Sequence, residues 1–183
     1  YGVKDIRTLE GIEAIRLRPG MYIGSTGPAG VQHITLEIIS NAVDEFRLGH
    51  GDVIGVEING ATVTLMDHGQ GFIPNSFRED GKTILEAASS VLNTSGKYRE
   101  DGTYEGTSLG SFGIGSKITT FLSHWLKVIT YRDGKYEDLL FKEGVFESRK
   151  TGTCSTNVSG TTVQWEPSEE FFTNTTVEIS KIK

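Results

Sequence analysis

Val53-Ile54-Gly55-Val56-Glu57-Ile58-Asn59-Gly60-Ala61-Thr62-Val63-Thr64-Leu65-Met66-Asp67 decides the fold. Two alternating stretches flank Asn59-Gly60, the strongest short-range signal for a β-hairpin. In the second, Ala61, Val63 and Leu65 alternate with Thr62, Thr64 and Met66, so strand parity puts Asp67 on the apolar face. A carboxylate at the inner end of a strand needs a partner, because an unpaired buried charge is very costly. Gly69 and Gly71 follow, removing side chains where a flat ligand approaches the backbone. An adenine amino group donating to Asp67 satisfies that arrangement, and so does a turn carboxylate in water.

Upstream of the hairpin, Val31, Ile34, Ile38, Ala42 and Phe46 recur at helical steps, which predicts a helix over 31–48 stopped by Gly49. His33, Glu37 and Asn41 form a second stripe on that helix, each four residues after the last. Imidazole, carboxylate and amide on one face can orient a water, take its proton and hold a metal. A solvated polar face gives the same pattern. A shorter helix is expected over 5–18, with Pro19-Gly20 as its stop, and Gly27 to Gly30 reads as a turn. Downstream, helices are expected over 82–92 and 116–122, on either side of a glycine-rich loop. Strands then dominate: 125–131, 136–141, 145–149 and 161–165, with turns at Asp133-Gly134 and Glu143-Gly144. The tail from Asn174 carries an ambiguous pattern, a truncated helix being one reading of it. Helices first and antiparallel-looking strands second predict a two-layer α+β domain.

The loop holds Gly96-Lys97, Tyr104, Gly110 and Gly113-Ile114-Gly115 before a helix. Glycines leading into a helix N-terminus can make an anion site, and equally a mobile surface loop. It is no Walker loop, since Lys117 stands two residues beyond the last glycine.

The 183 residues suffice for one domain with a substantial core, and 36% hydrophobic with 9% aromatic residues argues against disorder. No apolar run approaches the roughly 20 residues of a membrane-spanning helix. Acidic residues outnumber basic ones 24 to 18, a net charge of −6, so the chain is a poor binder of nucleic acid by itself. Cys154, the sole cysteine, excludes an internal disulfide and a thiolate metal cluster, and a cytoplasmic setting is expected. A chain opening on Tyr1, with no charged-then-apolar signal segment, is expected to be a processed or excised piece.

Glu37-x-x-x-Asn41, Asp67-x-Gly69-x-Gly71, a lid ending Gly113-x-Gly115 and a late Gly160-Thr161 occur in fixed order. Together they resemble the four motifs of the GHKL ATPases, which include gyrase, the heat-shock chaperone, histidine kinases and the MutL repair protein. Arg18-Pro19-Gly20-Met21-Tyr22-Ile23-Gly24 is similar to a signature of the B subunits of gyrase and topoisomerase IV. Asn41-Ala42-Val43-Asp44-Glu45 and Gly96-Lys97-Tyr98 strengthen that resemblance, which covers nearly the whole chain.

The resemblance implies the Bergerat fold: a mixed, mostly antiparallel sheet with helices on one face. It implies one ATP-binding domain over 1–183, cut from a larger subunit without its downstream transducer and DNA-cleavage regions. It makes Glu37 the general base, His33 its helper and Asn41 the Mg²⁺ ligand. Asp67 takes the adenine amino group, with Thr161 supporting it through water and Gly71 lining the site. Lys97, Tyr104, Gly113, Ile114 and Gly115 close over the phosphates. Glu45, Ile73, Pro74 and Arg132 complete the binding set, Arg132 at a mouth where aminocoumarin inhibitors bind in relatives. Expected partners are ATP, an A-type topoisomerase subunit, a second copy on ATP binding, and DNA through domains outside this chain, with no membrane. A nucleotide-gated dimerisation module without catalysis, and a MutL-type repair ATPase, are the competing readings.

The sequence departs from the family at Ser40, in place of an aspartate, and at Phe112, in place of a lid histidine. Phe72 is an added residue before Ile73-Pro74. Gln70 stands where an arginine pairs with the residue matching Glu45, so that ion pair is expected to be lost.

Overall fold

The computed structural model describes residues 11–92 and 114–178. Lys97, Tyr104 and Gly113 therefore lie outside the described residues, as does the start of the helix expected from residue 5. Helix α1 spans Ile12–Leu17. Pro19, expected to end it, instead opens a second helix, α2, over Pro19–Ile23. The same correction applies at Gly27 to Gly30: Pro28 is the first residue of α3, Pro28–Arg47. In both cases the fixed φ of proline suits the first helical position, where its missing N–H would have no partner anyway. Helix α3 ends at Leu48 and Gly49, the latter at φ 82.

Strands β1 (Ile54–Asn59) and β2 (Thr62–Asp67) form the expected hairpin. Asn59 pairs with Thr62, so the two-residue turn is Gly60-Ala61, one step later than Asn59-Gly60. Gly60 takes φ 63 at the first turn position, the glycine-first arrangement of a type II′ turn. Helix α4 covers Ile84–Ser90, and its N-cap Thr83 accepts from the Glu86 amide at 3.1 Å. Helix α5 covers Gly115–Phe121.

Strands β3 (Ser123–Arg132), β4 (Lys135–Lys142), β5 (Val145–Thr153) and β6 (Gly160–Pro167) follow. The β3–β4 and β4–β5 turns are the two read from sequence, with Asp133-Gly134 at φ 52 and 73 and Glu143-Gly144 at φ 49 and 75. Both central residues are left-handed, as a type I′ hairpin requires. The described part of the tail, residues 174–178, belongs to no helix. Phe172 and Val177 are instead held by burial in the core.

The strand order is β1-β2-β6-β3-β4-β5, and every pairing among the described residues is antiparallel. Register aligns three rows across four strands on the helix-facing side. Val63, Trp165, Leu126 and Phe141 form the first row, and Leu65, Val163, Val128 and Leu139 the second. They pack with Val31, Ile34, Ile38 and Ala42 of α3 and with Ile118 and Phe121 of α5 in one core. The third row is polar: Asp67, Thr161, Thr130 and Glu137. Burying polar groups beside an apolar core is costly unless each is hydrogen-bonded, so this row marks where structure yields to function.

Candidate functional site

Strand parity places Asp67 on the buried face, as the sequence predicts, at 8% exposure. Burial raises its pKa, and the amides of Gly69 and Thr161 partly offset that rise. Both bonds fall on one oxygen: Gly69 N–H donates to Oδ1 at 2.8 Å and Thr161 N–H at 3.2 Å. Thr161 thus supports Asp67 from its backbone. Among the described residues no donor reaches Oδ2, so that oxygen keeps its capacity to accept a hydrogen bond.

Two glycines build the floor. Gly71, at φ 67, would bring a Cβ to 2.6 Å from the Tyr131 carbonyl oxygen and 2.8 Å from that of Gly160. Gly160, at φ 120, would bring one to 2.0 Å from the Asp67 carbonyl oxygen. Only bare backbone fits, which is why the chain carries glycine at both points. Thr130 Oγ1 accepts from Phe72 N–H at 2.7 Å and lies 3.2 Å from the Phe72 carbonyl oxygen, pinning the chain just after Gly71. Arg132 Nη1 donates to the Gly71 carbonyl at 3.1 Å, which puts the guanidinium at the rim of this floor. Ile73 is exposed and Pro74 buried.

Helix α3 supplies the second wall. His33 Nε2 lies 3.6 Å from Glu37 Oε1 across one turn, with the Glu37 side chain 13% exposed. A Cβ on Gly115 would meet Glu37 Oε2 at 1.9 Å, so the start of α5 abuts this carboxylate. Thr119 Oγ1 donates to the Ile34 carbonyl at 3.0 Å and locks α5 to α3 in that position. Asn41, one turn beyond Glu37, is exposed. Ile114 caps α5. Lys117 is 3% exposed, and burial lowers its pKa to about 8.

No Gln70–Glu45 ion pair forms, as expected, and an imidazole takes the place beside Glu45 instead. His50 Nδ1 lies 3.3 Å from Glu45 Oε2, and the Gln70 side-chain amide contacts the same imidazole. Sequence reading missed His50 because nothing local links residue 50 to residue 45 or 70. It also missed Thr130 and Glu137, although the parity that placed Asp67 extends to both strands. Glu137 is fully buried, and its Oε2 accepts from Asn75 N–H at 2.9 Å, anchoring the segment that follows Ile73-Pro74.

Among the described residues no three His, Cys, Asp or Glu side chains cluster as a metal site. No described helix is long and apolar enough to cross a membrane.

Known proteins resemble this arrangement over nearly the whole chain. The B subunit of DNA topoisomerase 4 from Staphylococcus epidermidis is 40% identical over 180 residues, covering 96% of this chain and 26% of the relative. That of Streptococcus pneumoniae is 39% identical over 186 residues, covering 100% of this chain and 28% of the relative. The chain thus spans about a quarter of the length of these relatives. The crystal structure of the 43K ATPase domain of Thermus thermophilus gyrase B, in complex with an aminocoumarin, matches with a TM-score of 0.80 at 32% identity. That match covers 95% of this chain and 43% of the other. No protein-family model matches. Homology from end to end, with the fold of a gyrase B ATPase domain, places the chain in the type II DNA topoisomerase B-subunit family, in the part equivalent to its GHKL ATPase domain.

Proposed function

We propose that this chain is a single ATP-binding domain which, within a larger B-type subunit, hydrolyses ATP to drive the passage of one DNA strand pair through another. The observation that carries the reading is Asp67: a buried carboxylate with two backbone amides on Oδ1, Oδ2 left for a ligand, and a glycine floor beside it. Adenine offers an amino donor and a flat face, the two features this arrangement can accept.

Glu37 is the general base. It takes a proton from water as the water oxygen bonds to the γ-phosphorus, and the bond to the bridging oxygen breaks with its electron pair leaving on ADP. His33, beside Glu37, orients the carboxylate. Gly115 fixes the far side of the same carboxylate, and Ile114 with Gly115 brings backbone N–H groups toward the phosphates; Lys97, Tyr104 and Gly113 are assigned to the same closure. Asn41, exposed one turn beyond Glu37, would hold Mg²⁺ through its side-chain oxygen, in keeping with an ion that needs few protein ligands. When bound, the ion neutralises charge developing on the phosphates. Arg132, Glu45, Ile73 and Pro74 line the mouth.

The acidic charge of −6 supports leaving DNA to other domains of the subunit. An A-type subunit as partner, ATP-dependent pairing of two copies and a cytoplasmic setting belong to the same proposal. The chain alone should bind ATP and hydrolyse it weakly, and brisk, concentration-independent turnover contradicts this. In the complete subunit, Glu37→Ala should abolish hydrolysis and spare binding. Retained turnover rejects the base assignment, and binding without turnover in the native subunit favours a non-catalytic dimerisation module.

A further inference from the structure

Three polar side chains from three stretches of chain meet at the edge of this site. Glu45 lies near the end of α3, His50 in the connection to β1, and Gln70 in the turn after β2. The His50 ring bridges the Glu45 carboxylate and the Gln70 amide, and the Gln70 backbone N–H donates to Glu45 Oε2 at 3.4 Å. A Cβ on Gly69 would sit 3.2 Å from both Cβ and Cγ of Glu45, so this side chain lies against the turn that holds Asp67. Beside it, a Cβ on Gly51 would lie 2.4 Å from the His68 carbonyl oxygen, and His68 Nδ1 pairs with Asp52 Oδ1 at 3.2 Å. Residues 49–53 are therefore fastened to the 67–71 turn by backbone contact, by the Asp52–His68 pair and by the His50–Gln70 contact.

We propose that His50 is a positioning residue of the nucleotide site: by holding Glu45 and Gln70 together it fixes the 67–71 turn against α3, more firmly when its ring is protonated. The inference rests on the ATP-site reading above. A neutral imidazole has one N–H donor. Aimed at Glu45, it leaves the other ring nitrogen to accept from the Gln70 amide N–H. A protonated ring donates from both nitrogens, and Gln70 meets it by turning its amide so that the oxygen accepts. Lysine or arginine at position 70 offers no acceptor and would repel the charged ring. Gln70 therefore suits both states, and the cluster gains an ion pair as the pH falls without losing a hydrogen bond.

Among the described residues Glu45 of α3 is the charged group against His50; Asp52 and His68 pair in the adjoining segments, and Asp67 feels the charges of Glu45 and His68. His50 and Glu45 are 36% and 34% exposed, which limits the gain to that of a surface ion pair, up to about fivefold in affinity.

The test is calorimetric titration with a non-hydrolysable ATP analogue at about pH 6 and about pH 8, on either side of the histidine range. The native chain is compared with His50→Ala and with His50→Ala/Gln70→Arg. Taking each affinity relative to the double variant cancels titration of the analogue, of His33 and of Asp67. Native binding should tighten toward pH 6 by about two- to fivefold on that scale. His50→Ala should lose the gain and bind more weakly than native at pH 6. The double variant, with a fixed cation against Glu45, should recover affinity at both pH values. Native-like affinity and pH profile in His50→Ala overturn the inference while the site reading stands. If all three proteins unfold cooperatively yet none binds the analogue, the site reading fails and the inference fails with it.

Discussion

Replacing Asp67 by asparagine separates the two demands on this residue. The introduced amide oxygen can still accept from Gly69 and Thr161, which meet Oδ1 at 2.8 and 3.2 Å in the native protein. What changes is the other atom, where an acceptor oxygen becomes an NH₂ donor facing the adenine amino group. A hydrogen bond to a charged group contributes about 1.5–3 kcal/mol. Its loss should therefore weaken binding of a non-hydrolysable ATP analogue by roughly 10- to 150-fold.

Stability should move the other way. Burial raises the Asp67 pKa above its ordinary 3.8, so the folded state holds this proton more tightly than the unfolded chain. That contribution is present below the unfolded pKa and is lost as the pH rises through the folded one. At neutral pH the ionised carboxylate therefore costs the nucleotide-free fold stability, and asparagine removes the cost. Calorimetry reads the affinity, and thermal unfolding without nucleotide reads the stability. The expected pair is weak binding with an unchanged or higher melting temperature at pH 7. Binding within twofold of native refutes the adenine contact, and a clearly lower melting temperature refutes the account of the burial.

Three further outcomes follow from the glycine floor, the Glu37 wall and the buried lysine. Gly71→Ala forces a side chain into φ 67 and to within 2.6 Å of the Tyr131 carbonyl. It should cost about 2 kcal/mol, lowering the melting temperature by roughly 4–8 °C. Gly115→Ala must displace Glu37, whose Oε2 would lie 1.9 Å from the new Cβ. In the complete subunit this should cut ATP turnover by as much as about 100-fold while sparing affinity for adenosine, and normal turnover refutes the contact. Lys117, with its pKa lowered to about 8, binds its proton less tightly folded than unfolded, so stability should rise from about pH 8 toward the ordinary value of 10.5. Lys117→Met should abolish that rise in denaturant titrations at successive pH values.

The hairpin and the two type I′ turns were legible because each is encoded within a few residues. Asp133-Gly134 and Glu143-Gly144 sit where their φ values require them, and alternation over six residues set the face of Asp67. Proline carries two opposite signals: Pro19 and Pro28 read as breaks in the sequence, whereas at a first helical position they start helices. The polar row was half legible. Parity gave Asp67 and the late Gly-Thr pair gave Thr161, but Thr130 and Glu137 join them only through sheet register, a long-range property. His50 was invisible for the same reason, since its role depends on how residues 49–53 fold against the turn after β2. The assignments at Lys97, Tyr104 and Gly113 lie outside the described residues.

Base selectivity is the sharpest probe of an adenine site built on Asp67. The chain should be titrated with non-hydrolysable ATP and with the corresponding inosine analogue, which carries a carbonyl oxygen in place of the amino group and a proton on N1. With that oxygen facing the Asp67 carboxylate, the inosine analogue should bind at least about tenfold more weakly. Equal affinity for the two, or no binding of either by a folded chain, contradicts the account.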